Sequence, residues 1–488
     1  MKGSFLASVR DFRRGRFSTP GLLLLLVAAF LTAPAGAQET VKVTDDMPLL
    51  TLDDCLHIAL QDSPTLQIAD ERQNMAAQDV TGAWGAFLPD LSLSRDWGKN
   101  KRTDFDIENQ TAVPGYYTYD SAGDSTLWYV SAGNGTYSDD TIHTTYGTWG
   151  GRASLNVFSG FSKFANLSSS RNTLKAAEAT RSYTRDMVIE DVITAYYNLL
   201  RSFRLLEVAI ETRDQAAAEL ERTETYFRLG STAKSDVLQQ RVRLENTKLD
   251  VVVANNTVKK AFVDLAFYMN RPLAEGFRID ETLLETDFAI EPVDSLYAEA
   301  LTNRQDLASS AFTAEARQKD VTSASANLWP RVDVYANYSH SDNESPYRFG
   351  SQVSQSTSFG YSVSWNIFDR LQTWTGRSKA KANARIAEYE LSQARLNAQV
   401  EIRQLHTALI EARERYNVSI ETIAQSQEEL RLAQERFRVG AGTTLDIIVA
   451  QTNLASSRAQ EVQAVCDFLI ADAQMQRAVG RLGAIVAQ

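Results

Sequence analysis

Two hydrophobic periodicities alternate along this chain. In the first, apolar and polar residues take turns. Val332, Val334, Ala336 and Tyr338 alternate with Asp333, Tyr335, Asn337 and Ser339. Phe359, Tyr361, Val363, Trp365 and Ile367 alternate with Gly360, Ser362, Ser364 and Asn366, and Leu155 and Val157 flank Asn156 in the same way. The stretch Leu91 to Trp97 follows the rule less cleanly, because Arg95 falls on its apolar side. Period two predicts strands with one apolar face. Such a face suits a half-buried sheet in a soluble domain and a barrel strand turned toward lipid equally well.

The second periodicity is helical. Phe161 to Leu229 runs for 69 residues, and Arg377 to Val439 for 63, without one glycine or proline. Leu199, Phe203, Leu206 and Ile210 step along the first at coiled-coil spacing, as do Ile420, Ile423 and Leu430 along the second. Globular helices rarely exceed about 25 residues, so these are rods, the first ~100 Å long. Each turns at a glycine, Gly230 or Gly440, and returns over Ser231–Asn270 or Thr443–Val479. Shorter helices, Leu52–Ala86 and Asp294–Leu328, stop ahead of Pro89 and Pro330. A return helix of ~60 Å with a short helix of ~50 Å stacked on its end matches the height of the long one.

These elements occur twice. Phe227, Arg228, Gly230 and Asp236 recur as Phe437, Arg438, Gly440 and Asp446 at an offset of 210, which also carries Ser154–Phe158 onto Ser364–Phe368. Upstream the offset is 241, carrying Leu88–Leu93 onto Trp329–Val334 and Ala59-Leu60 onto Ala300-Leu301. The difference is one 31-residue insertion in the polar stretch before Tyr146. A tandem duplication of two large units follows. Its parts are a leader (1–37), an N-terminal segment (38–51), a first repeat (52–270), a mid-height linker (271–293), a second repeat (294–482) and a tail (483–488).

The leader reading rests on five basic residues from Lys2 to Arg16, the apolar run Leu22–Leu31 and the small-x-small site Ala35–Ala37. With Gln38 next, no lipid anchor is expected. Cleavage moves the net charge from −11 to −15, as five cations and one anion leave. That balance argues against nucleic acid as a partner. Two cysteines, Cys55 and Cys466, make no disulfide framework, although one bridge is feasible. There is no P-loop, G-x-S-x-G or H-E-x-x-H, and His57, His143, His340 and His406 have no ligand spacing. Asp104–Asn109 hints at calcium but lacks the glycine of an EF-hand. Neither an enzyme nor a cofactor or metal is expected.

Four strands cannot close a barrel, and an open edge is not tolerated in lipid. At this point the chain resembles the TolC family of outer-membrane efflux and secretion ducts. The resemblance runs from Leu50–Leu60 to Met475–Leu482 and rests on the doubled order of helix, strand pair and long hairpin, with two F-R-x-G-(x)5-D tips. It implies a mainly α protein with a small membrane β-barrel: a homotrimer whose twelve strands form one barrel in outer-membrane lipid, continued by an α-helical tunnel across the periplasm. Polar loops at Gly98–Tyr146 and His340–Ser356 would face outside, the first either narrowing the mouth or lying idle. The resemblance implies that Asp446, with Asp236 as its counterpart, forms a ring of carboxylates at the periplasmic constriction. Crowded carboxylates raise one another's pKa and attract cations. An Asp in the first turn of a helix also stabilises the helix dipole with no further role. Leu229, Gly230, Val439 and Gly440 match turns that dock on a periplasmic adaptor joined to an inner-membrane transporter, and the glycines serve equally as helix C-caps. Gly442 and Val449 depart from the family's best-known member, which has a basic residue and a second acid at those places. The rival readings are a strand-anchored coiled-coil surface stalk or adhesin without transport, which the returning hairpins argue against, and a soluble adaptor, which leaves the strands unexplained.

Overall fold

The computed structural model describes residues 48–108, 112–119, 125–131, 136–272, 277–280, 289–344 and 352–485. The leader lies outside the described residues. In chain order the elements are β1 (Leu49–Leu50), α1 (Leu52–Asp62), α2 (Pro64–Gly85), β2 (Asp90–Glu108), β3 (Ala112–Tyr119), β4 (Ser125–Ser131), β5 (Thr136–Ser159), α3 (Ser162–Arg228), α4 (Lys234–Tyr268), β6 (Arg278–Ile279), α5 (Val293–Asn303), α6 (Gln305–Ala324), a 3-10 turn at Ala326–Leu328, β7 (Arg331–Glu344), β8 (Gln352–Ser364), α7 (Gln372–Arg438), α8 (Thr444–Val479) and α9 (Leu482–Ile485). The fold is mainly helical with a small sheet, and both hairpins take the rod form that their uninterrupted sequence dictates.

The short helices are not continuous, contrary to expectation. The first breaks at Ser63, held extended ahead of Pro64, and the second at Arg304, which lies 241 residues further on. A pre-proline residue is driven out of the α region, which explains the first break. At that level α4 ends against α1: the Asn270 side-chain amide donates to the Asp62 carbonyl at 3.0 Å. In the second repeat Arg304 donates to the Ala478 carbonyl near the end of α8 at 3.3 Å. Along the long helices, α2 and α6 pack against α3 and α6 also against α7, while α1 lies against α3 and α5 against α7 and α8. Cys55, Leu56 and Ala59 of α1 share one buried cluster with Val192, Leu199 and Leu200 of α3 and Leu265 and Met269 at the end of α4. The parallel pair β1–β6 adds Leu50 and Ile279 to this core. Both cysteines are free and buried, which removes the bridge.

The seam of α7 and α8 has a row of small residues beside a row of large ones, Ile447, Leu454, Phe468 and Met475 on α8. On α7 the buried positions include Ala412, Ser419, Ser426 and Ala433, seven apart. On α8 Ala450, Ser457, Ala464, Ala471 and Ala478 repeat at the same interval, all but Ser457 alanine. A seven-residue repeat is the coiled-coil period, and small side chains let the two axes approach closely. Ser426 and Ser457 meet across it, Oγ to Oγ at 3.3 Å. The larger Ile420, expected in this seam, is exposed instead. In the first repeat the equivalents of Ala433 and Ala450 are the buried, polar Thr223 and Gln240.

The main sheet is antiparallel in the order β2-β5-β7-β8, with a separate β3–β4 hairpin. Here the loop expectation is corrected. Strand pairing runs on through Glu108↔Thr136, so most of Gly98–Tyr146 is strand, and β7 extends to Glu344 with β8 starting at Gln352. The threonines and tyrosines of 136–148 favour a pleated ribbon despite their polarity.

Candidate functional site: hairpin tips and a two-faced sheet

Each tip follows from its glycine. Gly230 has φ 79° and Gly440 φ 76°, the left-handed region that a Cβ disfavours. The Gly440 N–H donates to the Phe437 carbonyl at 3.0 Å and the Ala441 N–H to the Arg436 carbonyl at 2.8 Å; Gly230 and Ser231 repeat this with Phe227 and Tyr226. This double bond pattern satisfies the last carbonyls and ends the helix. Nothing lies within 4 Å of where a Cβ would stand on either glycine. Beside them Leu229 is 75% exposed and Val439 70%. The ring of Tyr226 lies 6.0 Å from that of Phe437, so the structure sets the two tips side by side.

Past each turn the chain re-enters a helix behind an acid. The Asp446 carboxylate accepts from the Thr443 N–H and hydroxyl, both at 2.8 Å, and the Asp446 N–H donates back to the Thr443 hydroxyl at 3.3 Å. This is a complete capping box. Those bonds hold the Asp446 carboxyl below the usual carboxylate range. Asp236 accepts only the Ala233 N–H, at 3.2 Å, since alanine has no hydroxyl to return. Asp446 also lines a groove of about 770 Å³ between α7 and α8, with Glu428, Glu429, Arg436 and Val449. Sequence reading missed Arg436 here. Its position, ten residues before Asp446 across a tight turn, was the available signal.

A second missed group lies where the repeats join. Arg477 pairs with Glu190 of α3 and, at 2.6 Å, with Glu401 of α7; Arg304 also reaches Glu401 at 2.6 Å and Asp306 at 2.8 Å. Burial works to raise Glu401, yet the two guanidiniums outweigh it and hold the carboxyl below its ordinary value. At Glu190 burial prevails over Arg477 and pushes the carboxyl up. No periodicity marks these residues, because their partners come from both repeats.

The sheet has two unlike faces. Register places Leu91, Ala153, Ala336 and Phe359 on one rung, and Leu155, Val334 and Tyr361 on the next. Phe359 is 87% exposed, far more than the interior of a soluble domain permits. The opposite face carries Ser92, Arg152, Asn337 and Ser358 at matching positions. Below it, Phe161 packs edge-on against Trp329, and the Trp365 indole donates to the Leu328 carbonyl at 3.3 Å. An apolar band floored by anchored aromatics is the exterior of a membrane barrel. Neither β2 nor β8 has a partner on its outer edge among the described residues. No helix among the described residues is long and apolar enough to cross a membrane, and no cluster there would hold a metal.

The chain is similar to the pyoverdine export outer membrane protein OpmQ of Pseudomonas aeruginosa, 23% identical over 433 residues, 88% of this chain and 85% of that protein. It is 21% identical over 443 residues to the alkaline protease secretion protein AprF of the same organism, covering 90% and 86% of the two chains. Among solved structures, the outer membrane protein VceC of Vibrio cholerae shares the fold, with a TM-score of 0.71 at 20% identity over 88% of this chain and 96% of that one. The model of the outer membrane efflux protein family matches residues 55–271 and 296–481, both repeats and little else. With each repeat matched by that one description, the chain belongs to the outer membrane efflux protein family.

Proposed function

We propose that the chain is the outer-membrane duct of an export machine. Three copies close one twelve-stranded barrel, and their hairpins continue it as a tunnel through the periplasm. A periplasmic adaptor docks on Leu229, Gly230, Val439 and Gly440, and an inner-membrane transporter delivers the cargo. Asp446 and Asp236 ring the narrow end. Export through the general secretion route removes residues 1–37. The observation that carries this reading is the four-stranded sheet, apolar on one face and polar on the other, whose two edges have no partner among the described residues. Four strands are too few to close, and each unsatisfied backbone group in hydrocarbon costs several kcal/mol, so copies must complete the barrel. The open, glycine-turned tips support docking, because no side chain blocks close approach there. The names of OpmQ and AprF support a duct serving small-molecule or protein export.

Ion conductance of the purified protein in a planar bilayer tests it. Stable unitary steps that grow in Asp446→Ala are expected. Confirmed insertion without conductance from parent or variant overturns the duct reading.

A further inference from the structure

Arg95 interrupts the apolar alternation of β2, and the register shows what it joins. Beyond Leu91 and Leu93, the same face of β2 presents Arg95, Trp97, Lys99 and Lys101. Arg95 stands across from Trp149, Trp149 from His340, and His340 from Gln355, one rung spanning all four strands. The Trp149 ring lies 5.7 Å from His340. Gln355 is ten residues above the anchored Trp365, which at the usual tilt is ~26 Å of height, the thickness of an apolar barrel band. The rung therefore coincides with the outer lipid boundary, and Lys99 and Lys101 stand just above it.

Arg95, Lys99 and Lys101 are exposed, and none forms an ion pair with a described residue. By register the nearest acids on that face are Asp342, on the rung of Trp97, and Glu344, on the rung of Lys99, both two strands away. The strand that a neighbouring copy brings against β2 when the barrel closes is β8, which has no charged residue from Gln352 to Ser364. In a chain of net charge −11, a basic stripe running up one face of β2 from the lipid boundary calls for an anion. Directly below the rung is an apolar-walled groove of about 420 Å³, where Gly151 and Ala153 leave room between Leu93 and Tyr338.

We infer that this surface is a docking site for the phosphate-bearing headgroup of an outer-leaflet lipid. The planar guanidinium of Arg95 takes the phosphate in bidentate fashion, and Lys99 and Lys101 add point charges above. Trp149 sits at headgroup level, and an acyl chain lies down the groove. The inference rests on the barrel reading.

Native mass spectrometry of the full protein in detergent, titrated with diphosphoryl lipid A and with its dephosphorylated form, tests it. The parent should hold the diphosphoryl lipid at least ten-fold more tightly. The combined variant Arg95→Gln, Lys99→Gln, Lys101→Gln should weaken it on the order of 100-fold, at a few-fold per removed surface cation. Single substitutions should each cost a few-fold, which keeps the test open if the combined variant misfolds. Equal binding of the two lipids, undiminished binding by the variants, or displacement by millimolar inorganic phosphate overturns the site. Bilayer conductance separates the two levels. A parent that never inserts removes the barrel reading, whereas an inserting, conducting parent indifferent to phosphate removes only the lipid site.

Discussion

Asp446 carries two opposed demands. Within one chain the Thr443 N–H and hydroxyl favour its charged form, so the cap is intact above the ordinary carboxylate value and is lost as pH falls through the lowered one. In an assembled ring, neighbouring carboxylates raise the same group. If Asp446 lines the constriction, conductance titrates with a midpoint above the ordinary aspartate value, and Asp446→Asn abolishes that titration. A midpoint below that value returns Asp446 to a capping role alone. Thr443→Val separates the two further. Loss of the cap should lower tip stability by about 1 kcal/mol, read as a fall in the thermal midpoint, while unitary conductance stays unchanged.

Among the elements, the joints are less tolerant than the tips. Gly160, where β5 gives way to α3, has φ 59°, and a Cβ there would meet the Ala326 carbonyl oxygen at 2.2 Å. Gly440 has the same backbone need and open space. Gly440→Ala should therefore cost only the left-handed penalty, about 1–2 kcal/mol, and leave assembly intact. Gly160→Ala must displace backbone, and should lower the thermal midpoint far more than Gly440→Ala does. The seams predict a second contrast. Ala450 is fully buried in the small-residue row of α8, so Ala450→Leu forces the helices apart and should cost about 1–3 kcal/mol by thermal melting. Ile420→Ala, on an exposed position of α7, should cost the isolated protomer little.

Across the whole molecule, the two repeats are tied by the cluster of Arg304, Arg477, Glu190 and Glu401. Glu401 serves both arginines and sits below its ordinary pKa, so its contribution holds at neutral pH and disappears as pH falls through that lowered value. Glu190 is raised, so its contribution is full only in acid and is lost as pH rises. At neutral pH Glu401→Gln should thus lower the thermal midpoint, by the equivalent of about 1.5–3 kcal/mol, because each arginine loses one of its two carboxylate partners. Glu190→Gln should cost clearly less. Equal losses would mean that the cluster does not act through Glu401.

The sequence by itself determined the architecture. Rods without glycine or proline, turns at Gly230 and Gly440, period-two strands and a duplicated order each depend on local backbone preference or short-range periodicity, which a linear string displays. It also placed Asp236 and Asp446 at equivalent points behind the turns. What it misread was of two kinds. Polar strands such as Thr136–Thr145 read as loop, because β-structure there comes from pairing rather than from an apolar face. The helical seams were misread in part: Leu199 on α3 and Leu430 on α7 pack as expected, but Ile420 is exposed while alanine and serine fill a buried row, because which positions are buried is a property of two helices together. Only the tertiary structure brought Arg477 to Glu190, Tyr226 to Phe437 and Arg95 onto a rung with Trp149 and His340. These meetings join residues scores or hundreds of positions apart, and such distances are set by folding, not by any spacing along the chain.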